Sequence, residues 1–436
     1  MADTSEIKSL VRKWNTILHP EQTLKEGEVA SFVAPRIRNK RIERSTAVIL
    51  ENQANYMIEA GFLNESNYTD LSFNKAGGYS TNGEFHKIAV PMVRRTFPEL
   101  IAHDLVGVQP MSGPVGLAFA LRYVSGQTYT DMNNREKPGQ LELGYNNMDP
   151  NYSGSYPTDF GEGLGSQPDP NINGDWSTST KGLGIGEGKN IKEINFTIQK
   201  KQVEAQTRKL RSRWSLEVAQ DLKAMHDLDL EEEMMDILAY EITSEIDREL
   251  VNEIRLAANQ NKKSNIDGQL GKLDWNNPLN FDGRWEHEKY RNLFNLAIRK
   301  SNQIAIDTRR GSGNFVIASP TLAAAFEASS AFTIAPVDTD VDTAINGVAF
   351  IGTLDGRLRL YRDTFLVTDE FLVGYKGPSS YDAGIIYLPY IQLMTSKAIF
   401  EDSYNPSVGL MSRYGIMSHM FGASNYYIRC QVDNMP

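Results

Sequence analysis

From Val203 to Asn259 the chain runs for 57 residues without a proline or a glycine, shortly after a 65-residue stretch, 126–190, that holds 12 glycines and 5 prolines. The two segments are opposite in composition, and each narrows what its own part can fold into. The first lacks the two strongest helix breakers and predicts two consecutive long helices. Leu210, Trp214, Leu216, Leu222 and Met225 stripe its first part; Met235, Leu238, Ile242, Ile246 and Leu250 stripe its second. The join falls at HDLDLEEE. Asp229 followed by Glu232 has capping-box spacing, with an acidic acceptor in place of Ser or Thr, and the acidic residues after it suit a helix N-terminus. The Gly/Pro-rich stretch favours turns and extended backbone. A loop of that length is uncommon in a compact domain, which points to a functional role.

The remaining segments divide between the two kinds of structure. Ile7, Leu10, Val11, Trp14 and Leu18 form one helical stripe, interrupted by Pro20, and a second helical stretch runs from about Arg36 to Ala60. Residues 1–65 have too few apolar positions for a core of their own. They read as helices that lean on something else, or as a detachable arm. Residues 66–86 read as loop, Pro98–Val106 as a short helix, and GLAFALRYVS (116–125) and KEINFTIQK (192–200) as strands. Arg284–Asp307 reads as a helix, and GNFVIASPTLAAAF as strand, turn and helix. GVAFIGTL, LRLYRDT, FLVGYK and AGIIYLPYI then read as strands of an antiparallel or mixed sheet, with turns at Asp355-Gly356 and Gly377-Pro378. SRYGIMSHM and NYYIRCQV add strands near the end. The class is α+β.

Chemical signatures are missing. A single cysteine, Cys430, excludes an intramolecular disulfide and Cys-based metal clusters, and six scattered histidines lack zinc-site spacing. No nucleophile elbow, Walker motif or C-x-x-C is present. The run Gly182-Leu-Gly184-Ile-Gly186-Glu-Gly188 lacks the preceding strand and the Lys-Ser/Thr of a phosphate loop. Cys430, in an apolar terminal strand, reads as a buried inert thiol, and Tyr426 and Tyr427 as core or interface. Glu231, Glu232, Glu233, Glu241, Glu245, Asp247, Glu249 and Glu253 read as a solvated or interface face, with Arg248 and Arg255 beside them. A net charge of −10 argues against tightly held nucleic acid. Residues 1–59 are near neutral and carry a basic cluster, Arg36, Arg38, Lys40, Arg41 and Arg44, that reads as a solvated face or a contact for an acidic partner. No run of apolar residues reaches membrane-spanning length, and MADTSEIKSLVRKW has no signal-peptide character. This profile fits an assembly protein better than an enzyme.

Four blocks carry a family resemblance: AVPMVRRTFPELIAHDLVGVQPMSGPVGLAFALRY (89–123), the run from Gln202 to Val251, GRWEHEKYRNLFNLAIRKSNQIAIDTRRGSGNFVIAS (283–319), and VGYKGPSSYDAGIIYLPY (373–390) with SRYGIM (412–417). In this order they resemble the major capsid proteins of T-even-type myophages. The resemblance implies the Hong Kong 97-like phage capsid fold. On that template 1–65 is a cleavable propeptide that binds the internal scaffold, 66–115 the N-arm, and 116–200 an extended E-loop with the Gly-rich insertion, reaching over a neighbouring subunit. Residues 201–307 are a peripheral domain with its spine helix, 308–395 an axial domain, and 396–436 a return to the peripheral domain.

The resemblance also implies hexamers in an icosahedral head shell of the virion, which encloses double-stranded DNA without reading its sequence. A vertex protein, an internal scaffold, a prohead protease and outer decoration proteins are the implied partners. No cofactor, metal or catalytic residue is implied. The family protease cuts after Glu in an apolar-x-Glu pattern followed by a small residue. Leu63-Asn64-Glu65 before Ser66 matches it, and Met57-Ile58-Glu59 before Ala60 is a weaker second match. Best-known members carry an inserted domain within the stretch equivalent to 126–200; this chain is shorter there, which implies loss of that domain or a minimal loop. The alternatives are the pentameric vertex protein of the same family and, from another class, a carbohydrate-binding module with Trp176, Tyr152 and Tyr156 as its aromatic platform.

Overall fold

The computed structural model describes residues 4–19, 37, 39–59, 92–94, 96–126, 129–130, 136–137, 193–226, 228–258, 272–277, 281, 285–329, 332–334, 347–395, 399–400, 405–420 and 422–435. Helices α1 (Thr4–Lys13), α2 (Asn15–Leu18) and α3 (Lys40–Glu59) come first. A 3-10 turn (Phe97–Glu99) and α4 (Ala102–Leu105) lead to β1 (Gly107–Val108), β2 (Val115–Ser125), β3 (Tyr129–Thr130) and β4 (Glu136–Lys137). Then follow β5 (Ile194–Glu204), β6 (Gln206–Arg213), α5 (Leu216–His226), α6 (Leu230–Ala257), β7 (Lys272–Asp274) and α7 (Glu286–Thr308). The last part holds β8 (Phe315–Ala318), α8 (Pro320–Glu327), β9 (Phe332–Ile334), β10 (Val348–Leu354), β11 (Leu358–Asp363), β12 (Glu370–Gly374), β13 (Ile385–Thr395), β14 (Ile399–Phe400), β15 (Pro406–Ser418) and β16 (Tyr427–Asp433).

The chain forms two compact units. One comprises Met1–Gly116, Gln202–Ala305 and Gly311–Pro436; the other comprises Leu117–Lys201 and Ile306–Arg310. In the larger unit, a five-stranded sheet runs β1-β13-β15-β14, with β6 also on β15. A seven-stranded sheet runs β7-β16-β12-β8-β11-β10-β9. The second sheet is mixed: β8 is parallel to β11 and β7 to β16, and the other pairs are antiparallel. In the smaller unit β2 pairs with β5, and β3 with β4.

Local chemistry explains several of these elements. On α6 Met235, Leu238, Ile242, Ile246, Leu250 and Ile254 are all buried, at three- and four-residue spacing. That stripe packs on β15 and β6 and reaches β16, so one helix serves both sheets. Asp229 caps α6 by accepting the Glu231 N–H at 3.0 Å. Ser319 caps α8, where Pro320 occupies the first turn without loss of a hydrogen bond. Arg357 N–H closes a turn on the Leu354 carbonyl at 3.0 Å, and both central residues, Asp355 (φ 51°) and Gly356 (φ 63°), are left-handed, as a type I′ hairpin turn requires.

Two expectations are corrected. Residues 203–213 are not helix: 203–204 end β5, and β6 pairs antiparallel with β15 over eight residues, from Gln206 opposite Tyr414 to Arg213 opposite Ser407. The helix-favouring Gln, Lys and Arg there have only weak intrinsic preference, and the backbone of β15 supplies a stronger one. The first stripe also fails. Leu210 lies in β6, and α5 buries none of its residues; Met225 is 77 % exposed.

The N-terminal helices do lean on the body. Trp14, Ile17, Leu18, Ala47, Ile49, Leu50 and Ala54 are all buried. Lys13 pairs with Glu51 at 2.9 Å, Trp14 Nε1–H donates to the same carboxylate at 2.9 Å, and the buried Arg94 donates to the Leu18 carbonyl at 3.1 Å. Helices α1 to α3 thus gain their core by packing within the larger unit.

Candidate functional site

The described surface combines ionic clusters that fasten the elements with apolar faces left open. Arg208 of β6 reaches two carboxylates of α6, Glu245 at 2.6 Å and Glu249 at 2.8 Å, and its Nε–H donates to the Tyr414 hydroxyl. The Tyr414 hydroxyl in turn donates to Glu249. Three elements thus meet at one guanidinium, whose planar fork suits two acceptors at once. Asp247, fully buried on the same helix, accepts the Ile101 N–H at 3.2 Å. The acidic run on α6 is therefore partly structural. Among the described residues no group of acidic, histidine or cysteine side chains could hold a metal ion.

A second cluster is deeper. Glu370, at the start of β12, has 0 % exposure and lies between Arg255 of α6 (2.5 Å) and Arg429 of β16 (2.5 Å). Asp363, also buried, accepts the Phe365 N–H at 2.9 Å. Burial holds its carboxyl above the usual range, against the pull of that hydrogen bond and of Arg248 and Arg255. Arg248 lies 4.2 Å from the Phe365 ring centroid.

In a third cluster the half-buried Lys376 ammonium donates to the His103 carbonyl, and desolvation pulls it down to about 8. Desolvation, and then the nearby Lys376 charge, lower His103 to about 3, although its Nε2–H donates to the Phe97 carbonyl at 3.1 Å. The unfolded chain takes up this proton near pH 6.5 and the folded chain only near 3, so His103 removes stability as pH falls across that window. The expected loss is up to about 1 kcal/mol per pH unit. Urea unfolding at pH 6.5, 5.5 and 4.5 measures it, and a His103→Gln chain should show a flatter profile; parallel profiles would refute the assignment.

Other side chains face solvent where a lone globular domain would cover them. Ile194, Phe196 and Ile198 of β5 are 60–69 % exposed and alternate along one strand face. A two-stranded ribbon is marginal in water unless an apolar face finds cover. On the larger unit, Val218 and Met225 of α5, Ile237 and Leu256 of α6, and Val367 are also exposed.

Of the residues singled out from sequence, Cys430 is fully buried, and burial pushes its thiol up to about 11. Tyr426 and Tyr427 are core residues. Leu63, Glu65, Ser66 and Ala60 lie outside the described residues, as do Trp176, Tyr152, Tyr156 and the 182–188 glycine run. Met57 and Glu59 fall in the last turn of α3, a conformation less open to proteolytic cutting than a loop. Sequence reading missed the Glu370 cluster. The one available signal was a carboxylate opening an otherwise apolar strand, EFLVG.

Comparison with known proteins gives this surface its context. The family description Major capsid protein Gp23 matches residues 82–432. The major capsid protein of Salmonella phage ViI is 32 % identical over 395 residues, covering 87 % of this chain and 85 % of that relative. That of Enterobacteria phage T4 is 29 % identical over 492 aligned positions, covering 95 % and 92 %. The capsid vertex protein of Enterobacteria phage T4 is 26 % identical over 244 residues, covering 53 % and 54 %. A solved structure titled "The capsid of Myoviridae Phage XM1" aligns over 76 % of this chain and 92 % of that chain, with 10 % identity and a TM-score of 0.41. With the family description extending from residue 82 almost to the C-terminus, the chain belongs to the Gp23 family of major capsid proteins.

Proposed function

We propose that this chain assembles as hexamers into the icosahedral head shell around double-stranded DNA, and that 1–65 is an arm cut off after Glu65 during maturation. A place in the virion shell and self-association follow from the family. The observation that carries the reading is the open apolar surface, above all Ile194, Phe196 and Ile198, which a monomer would leave in water and a neighbouring subunit would cover. We assign the E-loop role to 116–200, the N-arm role to 66–115, the peripheral role to 201–307 with the return at 396–436, and the axial role to 308–395. The internal scaffold and prohead protease act on the arm, and the vertex protein and outer decoration proteins complete the shell. Removal of the arm then frees a shift from a rounded procapsid to a thinner, larger lattice, and the cut makes that shift irreversible. No catalytic role is proposed.

The direct test is intact mass and N-terminal sequence of the most abundant protein in purified particles. Dominance of this chain beginning at Ser66 supports shell and cut together. Dominance with Met1 retained keeps the shell and rejects the cut. A few dozen copies per particle would instead mark the vertex protein, whose T4 form is a weaker relative. A Phe196→Ser/Ile198→Ser chain should yield at least tenfold fewer shells. Its monomer should unfold within about 0.5 kcal/mol of the parent, because exposed substitutions cost little. Normal shell yield would remove these residues from the interface.

A further inference from the structure

The pairing of β13 with β15 is irregular in one place. Ile385 to Pro389 oppose Ser418 to Tyr414 in step, but Ile391 opposes Arg413, Met394 opposes Met411 and Thr395 opposes Leu410. From Pro389 to Thr395, β13 uses seven residues where β15 uses five, Tyr414 to Leu410, so β13 carries two extra residues as two bulges. Such bulges free backbone carbonyls, and buried carbonyls need donors. Here α3 supplies them. Asn52 Nδ2 donates to the Tyr390 carbonyl at 3.1 Å and to the Met111 carbonyl at 2.8 Å, and the buried Gln53 Nε2 donates to the Leu393 carbonyl. On the same side, backbone donors end just before: Gln109 N–H meets the Tyr387 carbonyl and Met111 N–H the Pro389 carbonyl, each at 2.9 Å. Two side-chain amides of α3 therefore stand in for a strand that stops short.

Two is an even number, and in a strand side chains alternate faces with period two. If the end of β13 slid by two residues and both bulges vanished, Met394 and Thr395, past the second bulge, would keep their present face, and only the short stretch around Ile391, between the bulges, would move by one residue. A slip of one would invert them all. We propose that β13 has this second, unbulged register, and that Asn52 and Gln53 hold it in the bulged one while α3 is docked. When α3 leaves, the carbonyls of Tyr390 and Leu393 lose their donors, and the strand end shifts by roughly 7 Å along β15, the length of two residues. The consequence for the shell rests on removal of the arm proposed above; the register switch itself does not.

Engineered disulfides read the register. Met394 faces Met411 in the bulged pairing and Gly409 in the regular one. The native thiol, Cys430, is buried and does not compete. In the full chain, M394C/M411C should oxidise readily and M394C/G409C should not. Two independent treatments should raise the M394C/G409C yield at least tenfold and lower that of M394C/M411C. One is an N52A/Q53A background in the uncut chain. The other is cleavage at a foreign protease site built into 60–66, followed by separation of the arm. Unchanged yields under the second treatment would overturn the proposal, and that treatment decides alone if N52A/Q53A does not fold. Because the cut is foreign, a phage that trims its chain elsewhere leaves this test intact, and a null result leaves the processing site untouched.

Discussion

Glu370→Ala should lower the unfolding free energy by about 3 kcal/mol, more than any surface substitution in this chain. Breaking a buried ion pair costs about 3–5 kcal/mol because the remaining charge stays desolvated. The lower end applies here, since Arg255 and Arg429 keep 32 % and 21 % side-chain exposure and recover some hydration. The carboxylate ties α6 to β12 and β16, so the loss should appear as one cooperative shift in urea unfolding rather than local fraying. A Glu370→Leu/Arg255→Met/Arg429→Met triple should recover most of it, because apolar residues of similar volume replace a buried triad well. A loss under 0.5 kcal/mol in the single variant would mean that water reaches the site and the cluster is ornamental.

Particles assembled from a Glu65→Ala chain should retain residues 1–65 and stall as procapsids, with mature shells reduced to background. The proposed cut requires Glu at the cleaved bond, in Leu63-Asn64-Glu65 before Ser66. The expected stall reflects how the proposed arm is held: Trp14, Ile17, Leu18, Ile49 and Leu50 have at most 1 % exposure, so its described helices sit in the packed core and would leave it only after a cut. Electron microscopy of particle diameter, with gel analysis of chain mass, checks this. Normal expansion with the arm retained would sink the mechanism. Cutting after Glu59 instead would require the last turn of α3 to unwind first.

Features carried by neighbours in the chain were legible in the sequence. The α6 stripe, the Asp229 cap, the Ser319-Pro320 helix start and the Asp355-Gly356 turn each depend on residues within a few positions of one another, and each is present. The absence of catalytic motifs and the matching blocks were legible for the same reason: they are strings.

Other features depend on partners far apart in sequence. Residues 206–213 carry helix-favouring side chains, yet β15 claims their backbone from about 200 positions away. Glu370 finds one cation on a helix 115 positions earlier and another on a strand 59 positions later, and no local pattern encodes that meeting. The two bulges in β13 exist only as a mismatch between two strands, and their donors come from Asn52 and Gln53, more than 300 positions upstream. Local propensities amount to tenths of a kcal/mol per residue, whereas unpaired buried carbonyls and charges cost several times that. Neighbouring residues were enough to set the caps, the turns and the buried stripe of α6. The choice between helix and strand at 206–213, the ionic clusters and the register of β13 were settled where desolvation made long-range partners obligatory.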